Sequence, residues 1–110
     1  MHHKEAAPPT EAAHTTLIDA IVQGMQEKKA VDIRVIDLRA IPHAVTDYFI
    51  LCSGSSPRQV EAIADAVVAS SYQRAQEHPW QQEGRIAKEW ILIDYVDVVV
   101  HVFHAEKRDF

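Results

Sequence analysis

Two apolar segments near the end of the chain constrain its fold more than any other feature. Residues 90–95 (WILIDY) and residues 98–103 (VVVHVF) are rich in β-branched and aromatic side chains, which favour β-strands. Because only a few residues separate the two segments, they are predicted to pair as an antiparallel hairpin. The fold is therefore predicted to be built around a β-sheet.

The register of this hairpin depends on the position of its turn. With a turn at Tyr95 and Val96, the predicted pairs on one face are Asp94 with Asp97, Leu92 with Val99, and Trp90 with His101. Val96 is β-branched and disfavours the positive φ that tight hairpin turns require, so the length of the loop stays open. A four-residue loop would keep the same faces, whereas a three-residue loop would exchange them.

The two faces of the hairpin differ in composition. One face is purely aliphatic and is predicted to lie in the core: Ile91, Ile93, Val98, Val100 and Val102. The other face mixes aromatic, aliphatic and imidazole side chains, with carboxylates at one end: Trp90, Leu92, Val99, His101 and Phe103. Such a mixture is typical of a protein-binding surface. A helix of the same domain could equally cover it, and composition does not decide between the two.

Two segments have the spacing of amphipathic helices. A first helix is predicted from about residue 15 to residue 29, with Thr15 or Thr16 as its cap. A second helix is predicted to begin at Pro57 and to run to about residue 76. Ser56 is its expected N-cap, and Gln59 completes a capping box.

Three further segments are predicted strands. Residues 31–38 (VDIRVIDL) alternate in polarity, which places Val31, Ile33 and Val35 on one face. Residues 48–52 (YFILC) are apolar throughout, as expected for a strand that is covered on both faces. Residues 80–84 are a candidate short strand. The order α-β-β-α-β-β-β predicts an α/β fold, a mixed β-sheet flanked by helices.

The length of 110 residues fits one domain. Residues 1–14, which are rich in small, charged and proline residues, are predicted to be a disordered tail, and residues 15–110 to be the single domain. No apolar run approaches the roughly 18 residues that a membrane span needs. Together with the lack of a signal-peptide pattern, this predicts a cytoplasmic location. Cys52 is the single cysteine, so no internal disulfide is expected.

Charge and glycine content argue against several classes of function. The net charge of -5 is unsuited to gripping bare nucleic acid over a wide surface. Three glycines, Gly24, Gly54 and Gly84, cannot make a P-loop or a dinucleotide fingerprint. Gly54 and Ser55 resemble the start of a nucleotidyltransferase site, but two-metal phosphoryl transfer needs grouped carboxylates. On a strand that means acids two residues apart, and the chain has no such pair.

No metal or cofactor site is predicted. His101 and His104 are three residues apart, so on one strand they would point to opposite sides of the sheet. Cys52 lies inside an apolar run and is expected to be an inert core thiol. The sequence therefore predicts no catalytic, cofactor-binding or metal-binding residues.

Two motifs resemble those of a known family. Residues 46–56 (TDYFILCSGSS) resemble an Asp-Tyr-Phe strand that runs into a Gly-Thr-Ser loop, and Arg58, Val60 and residues 62–65 continue that motif. Residues 89–95 (EWILIDY) and 97–103 (DVVVHVF) resemble the most recognisable motif of the Iojap-type ribosomal silencing factors, the RsfS-like proteins. The resemblance extends over roughly residues 17–110.

The resemblance implies a fold and a function that the composition alone does not. The family's fold is nucleotidyltransferase-like but without the catalytic carboxylates, so no enzyme activity is expected. Its members bind the large ribosomal subunit through ribosomal protein number fourteen, block association with the small subunit and repress translation under nutrient limitation. Incidental contacts with ribosomal RNA are also implied. The resemblance assigns partner binding to Trp90, Leu92, Tyr95, Asp97 and His101.

Two alternatives and three departures accompany this resemblance. A large-subunit assembly factor could use the same contact, and a nucleotide-binding enzyme could use Gly54 and Ser55. Monomer and homodimer both remain open. Val96 stands where many members have glycine, and Pro57 and Gln59 replace the more usual serine and histidine. The family usually continues past position 110 with a short helical tail, which is expected to be absent here.

Overall fold

The structure is a computed structural model that describes residues 11–107. In chain order its elements are α1 (Glu11–Glu27), β1 (Val31–Asp37), β2 (Tyr48–Gly54), α2 (Pro57–Ala75), β3 (Gln81–Glu83), β4 (Trp90–Asp94) and β5 (Val98–His104), followed by a short 3-10 helix (Ala105–Lys107). The order confirms the predicted α/β class. Within this part of the chain, neither α-helix is long and apolar enough to cross a membrane.

The five strands form one mixed sheet in the order β1-β2-β5-β4-β3. β2 and β5 pair in parallel, and every other pair is antiparallel. α1 and α2 both pack on one side of the sheet. The core between helices and sheet is aliphatic and includes Ile21 and Met25 of α1, Ile63 and Val67 of α2, Ile50 of β2, Ile91 and Ile93 of β4, and Val98, Val100 and Val102 of β5. The predicted aliphatic face of the hairpin is therefore confirmed as core.

α1 begins earlier than predicted. It starts at Glu11, so residues 11–14 of the predicted tail are helical, while the rest of that tail lies outside the described residues. The predicted capping role of Thr15 or Thr16 is wrong. Their hydroxyls donate to the carbonyls of Glu11 and Ala12, each at 3.0 Å, because both threonines lie inside the helix.

The two helices approach closely at Gly24 of α1. A Cβ added there would lie 2.7 Å from the carbonyl oxygen of Ala66 and 2.9 Å from the Cα of Val67, both in α2. Nearby, the Ser70 hydroxyl donates to the carbonyl of Ala20 at 2.6 Å. The absence of a side chain at Gly24 thus permits backbone contact between the helices.

The start of α2 follows the predicted cap. The Ser56 hydroxyl accepts from the N–H of Gln59 at 3.1 Å, and Pro57 opens the helix. The Gln59 side chain differs from a standard capping box, because its oxygen accepts from the N–H of Ser55 at 2.6 Å. Its amide nitrogen donates to the carbonyl of Lys28 at 3.0 Å, which joins α2 to the end of α1.

The predicted facing of β1 is wrong. Asp32 has a positive φ of 54°, and the register with β2 shifts between Val31 and Arg34. One extra residue in β1 makes this a β-bulge, and each later side chain changes face. As a result, Val31 and Val35 lie on opposite faces of the sheet.

The prediction that β2 is covered on both faces is also wrong. Ile50 and Cys52 are fully buried under the helices. Phe49 and Leu51, on the opposite face, are half-buried. The run reads as apolar throughout because β2 has strands on both sides, so even the side chains on its other face are partly shielded by neighbours.

The hairpin keeps its predicted faces but not its predicted register. Trp90 opposes Phe103, Leu92 opposes His101, and Asp94 opposes Val99. The turn lies at Val96 and Asp97, one residue later than assumed, which shifts the pairing by two residues and preserves the faces.

The Val96 turn is held by other parts of the chain. Val96 adopts a φ of 77°, unusual for a β-branched residue. Its N–H donates to the Asp94 carboxylate at 2.7 Å, and its carbonyl accepts from the Thr46 hydroxyl at 2.8 Å. The Asp97 carbonyl also accepts from the N–H groups of Asp47 and Tyr48, both at 3.1 Å. These bonds offset the backbone strain that a glycine would avoid.

Candidate functional site

The sheet face opposite the helices is covered by neither α1 nor α2. We call it the open face. By register, its central residues are Phe49 and Leu51 of β2, Val99, His101 and Phe103 of β5, and Trp90, Leu92 and Asp94 of β4. Trp90 is 49% exposed. An aromatic side chain of this size, half in water and surrounded by apolar groups, is typical of an anchor in a protein interface.

Aromatic rings form a contiguous cluster on the open face. The Trp90 ring stacks on Phe103 with centroids 5.5 Å apart, and the His101 ring lies edge-on to Phe49 at 4.9 Å. The indole N–H of Trp90 donates to Nδ1 of His101 at 3.1 Å. These contacts hold Trp90 in one orientation, so little side-chain entropy is left to lose when a partner binds.

The hydrogen bond from Trp90 also decides the protonation state of His101. An indole nitrogen only donates, so Nδ1 of His101 must accept and the ring proton must lie on Nε2. Burial lowers the pKa of His101 below its ordinary value. His101 is therefore a neutral imidazole at neutral pH.

The depressed pKa of His101 predicts a loss of stability in acid. In the unfolded chain this histidine takes up a proton near its ordinary pKa of 6.5, whereas in the folded chain it resists protonation until a lower pH. Between these two values the unfolded state binds more protons, so the free energy of unfolding falls as the pH falls. Denaturant unfolding of the wild type and of His101→Gln at pH 7.5 and pH 5 measures this. The wild type should lose more stability than the variant, and equal losses would contradict the neutral state of His101.

A cavity of about 370 Å³ lies at the end of the open face near the hairpin turn. Its lining residues are Val45, Trp80, Asp94, Val96 and Val99. Trp80 is 70% exposed, and its backbone N–H donates to the backbone carbonyl of Asp94 at 2.7 Å. Asp94 is the one charged residue in this lining, so the cavity suits an aliphatic side chain that ends in a cation.

The structure groups three of the five residues that the resemblance assigned to partner binding. Trp90, Leu92 and His101 lie together on the open face. Tyr95 does not, because it is 8% exposed on the helix side, and its hydroxyl donates to the Ser71 hydroxyl at 2.7 Å. Burial raises the pKa of Tyr95 to about 12. The assignment of Tyr95 to the contact surface is therefore corrected, and its role is structural.

Asp97, the fifth residue, lies in the turn between β4 and β5, at the end of the hairpin that is distant from Trp90. Its carboxylate lies close to the side chains of His14 and Asp47. Among residues 11–107, these three side chains are close enough together to hold a metal ion. Sequence reasoning missed Phe49, Val45 and Trp80. Phe49 could have been found from the alternation of β2, whereas Val45 and Trp80 lie in connecting segments and have no periodic pattern.

The segment at Gly54 offers little to a nucleotide phosphate. The Ser55 N–H donates to Gln59, and the Gln59 N–H donates to the Ser56 hydroxyl, so two of the N–H groups that could hold an anion are already bonded. A Cβ at Gly54 would lie 3.2 Å from side-chain atoms of Val60 and Ile63, which shows that α2 packs tightly on this position.

Comparison with known proteins gives the family. A family model described as "Ribosomal silencing factor during starvation" matches residues 10–110. The ribosomal silencing factor of Bacillus subtilis (strain 168) is 40% identical over 87 residues, which cover 76% of this chain and 70% of that protein. A crystal structure of a protein from Bacillus halodurans is 34% identical, with a TM-score of 0.75 and 86% of each chain covered.

A more distant relative comes from an organelle. The mouse protein named "Mitochondrial assembly of ribosomal large subunit protein 1" is 30% identical over 96 residues, which cover 84% of this chain and 41% of that protein. The match of the family model along nearly the whole chain, the bacterial relative and the similar fold agree with one another. The chain therefore belongs to the ribosomal silencing factor family.

Proposed function

We propose that the chain represses translation under nutrient limitation by binding the large ribosomal subunit and sterically preventing the small subunit from joining it. The contact is made through ribosomal protein number fourteen, and the chain acts without catalysis or cofactor. The single observation that carries this proposal is the open face, an aromatic surface that neither α-helix covers and on which Trp90 is 49% exposed.

The composition of the open face supports a protein partner. Trp90, Leu92 and Phe49 supply the apolar centre, and the cavity beside Asp94 would receive an aliphatic side chain with a positive end from the partner. The net charge of -5 favours approach to a basic protein surface and disfavours RNA as the main target, so contacts with ribosomal RNA are incidental. Such a repressor works in the cytoplasm, as a monomer or as a homodimer.

Sedimentation with purified ribosomal subunits tests this function. The chain should sediment with the large subunit and not with the small one, and it should reduce the amount of assembled ribosomes in proportion to occupancy. Failure to sediment with the large subunit would refute the proposal. If the chain sedimented with the large subunit but did not affect subunit joining, only the proposed steric blockade would be refuted.

A site-specific crosslink identifies the partner and the face together. A photoreactive amino acid at Leu92, on the open face, should crosslink to ribosomal protein number fourteen. The same amino acid at Tyr72, an exposed position of α2 on the other side of the sheet, is the matched control and should not. A crosslink to a different ribosomal protein would still support binding to the large subunit, but it would show that the partner is another protein.

A second candidate function is assembly of the large subunit, favoured by the name of the mouse relative. Depletion of the protein distinguishes the two. An assembly factor predicts precursor particles in growing cells, whereas a silencing factor predicts mature subunits and a failure to reduce translation on starvation.

A further inference from the structure

Three side chains from separate parts of the chain converge beyond the turn end of the β4–β5 hairpin. Nε2 of His14, in the first turn of α1, lies 3.8 Å from Oδ2 of Asp47 and 3.7 Å from Oδ2 of Asp97. Asp47 precedes β2, and Asp97 belongs to the turn between β4 and β5. One ligand atom from each of the three lies within 4.8 Å of the other two.

Backbone hydrogen bonds hold together the two segments that carry Asp47 and Asp97. The N–H groups of Asp47 and Tyr48 both donate to the carbonyl of Asp97 at 3.1 Å. The Thr46 hydroxyl donates to the carbonyl of Val96 at 2.8 Å. The His14 ring packs edge-on against the ring of Tyr48 at 5.6 Å, which fixes its position above the two acids. The segments that carry the three side chains are therefore held next to one another by contacts that do not depend on a ligand.

The environment of His14 points to a missing ligand. Its Nε2 atom is buried and has no hydrogen-bond partner among residues 11–107, and its side chain is only 12% exposed. The separations from the carboxylates exceed the distance of a direct hydrogen bond. A buried polar nitrogen without a partner is costly. Nε2 of His101 is a second such atom among residues 11–107, but only Nε2 of His14 also faces two carboxylates.

A cation between the three groups would satisfy them together. Ligand atoms at about 2.0–2.2 Å from a tetrahedral Zn²⁺ lie roughly 3.4 Å apart. The two separations between Nε2 of His14 and the carboxylate oxygens, 3.8 Å and 3.7 Å, therefore need to shorten by only a few tenths of an ångström. The two carboxylate oxygens lie within 4.8 Å of each other and would move together by up to about 1.4 Å through rotation of their exposed side chains. Two carboxylates balance the charge of a divalent ion, and one imidazole favours a transition metal over Mg²⁺ or Ca²⁺. The side chains of Asp47 and Asp97 are 42% and 37% exposed, which leaves room for water as a further ligand.

We propose that His14, Asp47 and Asp97 bind a divalent transition-metal cation of the Zn²⁺ class, with one nitrogen and two carboxylate oxygens as protein ligands. The ion would fasten the start of α1 to the two segments that contribute Val45 and Val96 to the cavity on the open face. Metal binding would thus stabilise the fold and order one end of that face.

Calorimetric titration with ZnCl₂ after removal of metal by EDTA tests the site. His2 and His3 are first replaced by alanine in every sample, because imidazoles near the amino terminus could take up metal themselves. Zn²⁺ should bind with one-to-one stoichiometry, and His14→Gln or Asp97→Asn should weaken binding about tenfold or more. His78→Gln and Asp19→Asn, which change exposed residues of the same types, are the matched controls and should bind as the parent does.

A second measurement keeps the proposal testable if a variant fails to fold. MnCl₂ added to the parent protein should broaden the NMR amide signals around residues 14, 47 and 97 first. Saturating Zn²⁺ should raise Tm by on the order of 10 °C when its concentration is about 100 times Kd. Unchanged Zn²⁺ affinity in a folded His14→Gln variant, or broadening centred elsewhere, would overturn the proposal. So would the absence of any Zn²⁺ binding to the parent.

Discussion

Replacing Gly24 with valine should lower the free energy of unfolding by about 3 kcal/mol. The new Cβ would meet the carbonyl oxygen of Ala66 at 2.7 Å and the Cα of Val67 at 2.9 Å. Both are backbone atoms of α2 and cannot rotate away, so the two helices must separate. Urea unfolding followed by circular dichroism measures the loss.

Two comparison variants isolate the steric cause. Gly24→Ala should lose less, because it adds the Cβ alone and gains about 1 kcal/mol of helix propensity. Gln23→Val places the same β-branched side chain at the neighbouring exposed position and should cost only a few tenths of a kcal/mol. If Gly24→Val unfolded at the wild-type urea concentration, the close approach of α1 and α2 at this point would be wrong.

Replacing Trp90 with alanine should weaken binding to isolated large subunits by about 2 kcal/mol, roughly a 30-fold increase in Kd. The substitution removes a half-exposed ring that stacks on Phe103 and donates to His101. Since none of the fully buried core is touched, the variant should stay folded. Binding is measured by biolayer interferometry with immobilised large subunits, and folding by circular dichroism.

Matched variants connect this loss to the open face. Trp90→Phe keeps an aromatic ring but removes the N–H that donates to His101, so its Kd should fall between those of the wild type and Trp90→Ala. Tyr72→Ala removes an aromatic side chain of similar exposure from α2 and should bind like the wild type. A folded Trp90→Ala with wild-type affinity would exclude the open face as the contact surface.

Features with local causes were predicted well. The start of α2 depends on Ser56 and Pro57, which are adjacent in sequence, and the structure confirms Ser56 as the N-cap. The predicted capping box is wrong, because the Gln59 side chain accepts from the N–H of Ser55 and not from that of Ser56. The faces of the hairpin follow from the two-residue period of a strand, and this period survives a displacement of the turn by one residue. The predicted pairs did not survive, because the turn at Val96 is selected by hydrogen bonds from Thr46 and Asp47, distant in sequence.

The candidate site residues also differ in whether a local pattern in the sequence could place them. Trp90 and His101 share a face because alternation places them there. Tyr95 comes from the same motif, but the two-residue period puts it on the side of Ile91 and Ile93. The packing of α2 on the sheet then supplies Ser71 as its hydrogen-bond partner. His14, Asp47 and Asp97 share no spacing that a metal motif would have, so their proximity is visible only after the chain has folded.

By itself, the sequence determined the α/β class, the positions of most strands and of α2, and the aliphatic core face of the hairpin. It also showed the resemblance to the ribosomal silencing factors. These features depend on periodicity, caps and contiguous motifs. Tertiary structure decided the bulge in β1, the conformation of Val96, the side of the sheet on which both helices lie and the convergence of His14 with two aspartates. The physical reason is that each of these depends on contacts between residues far apart in the chain, and a residue pattern encodes such contacts only through the packing of the whole domain.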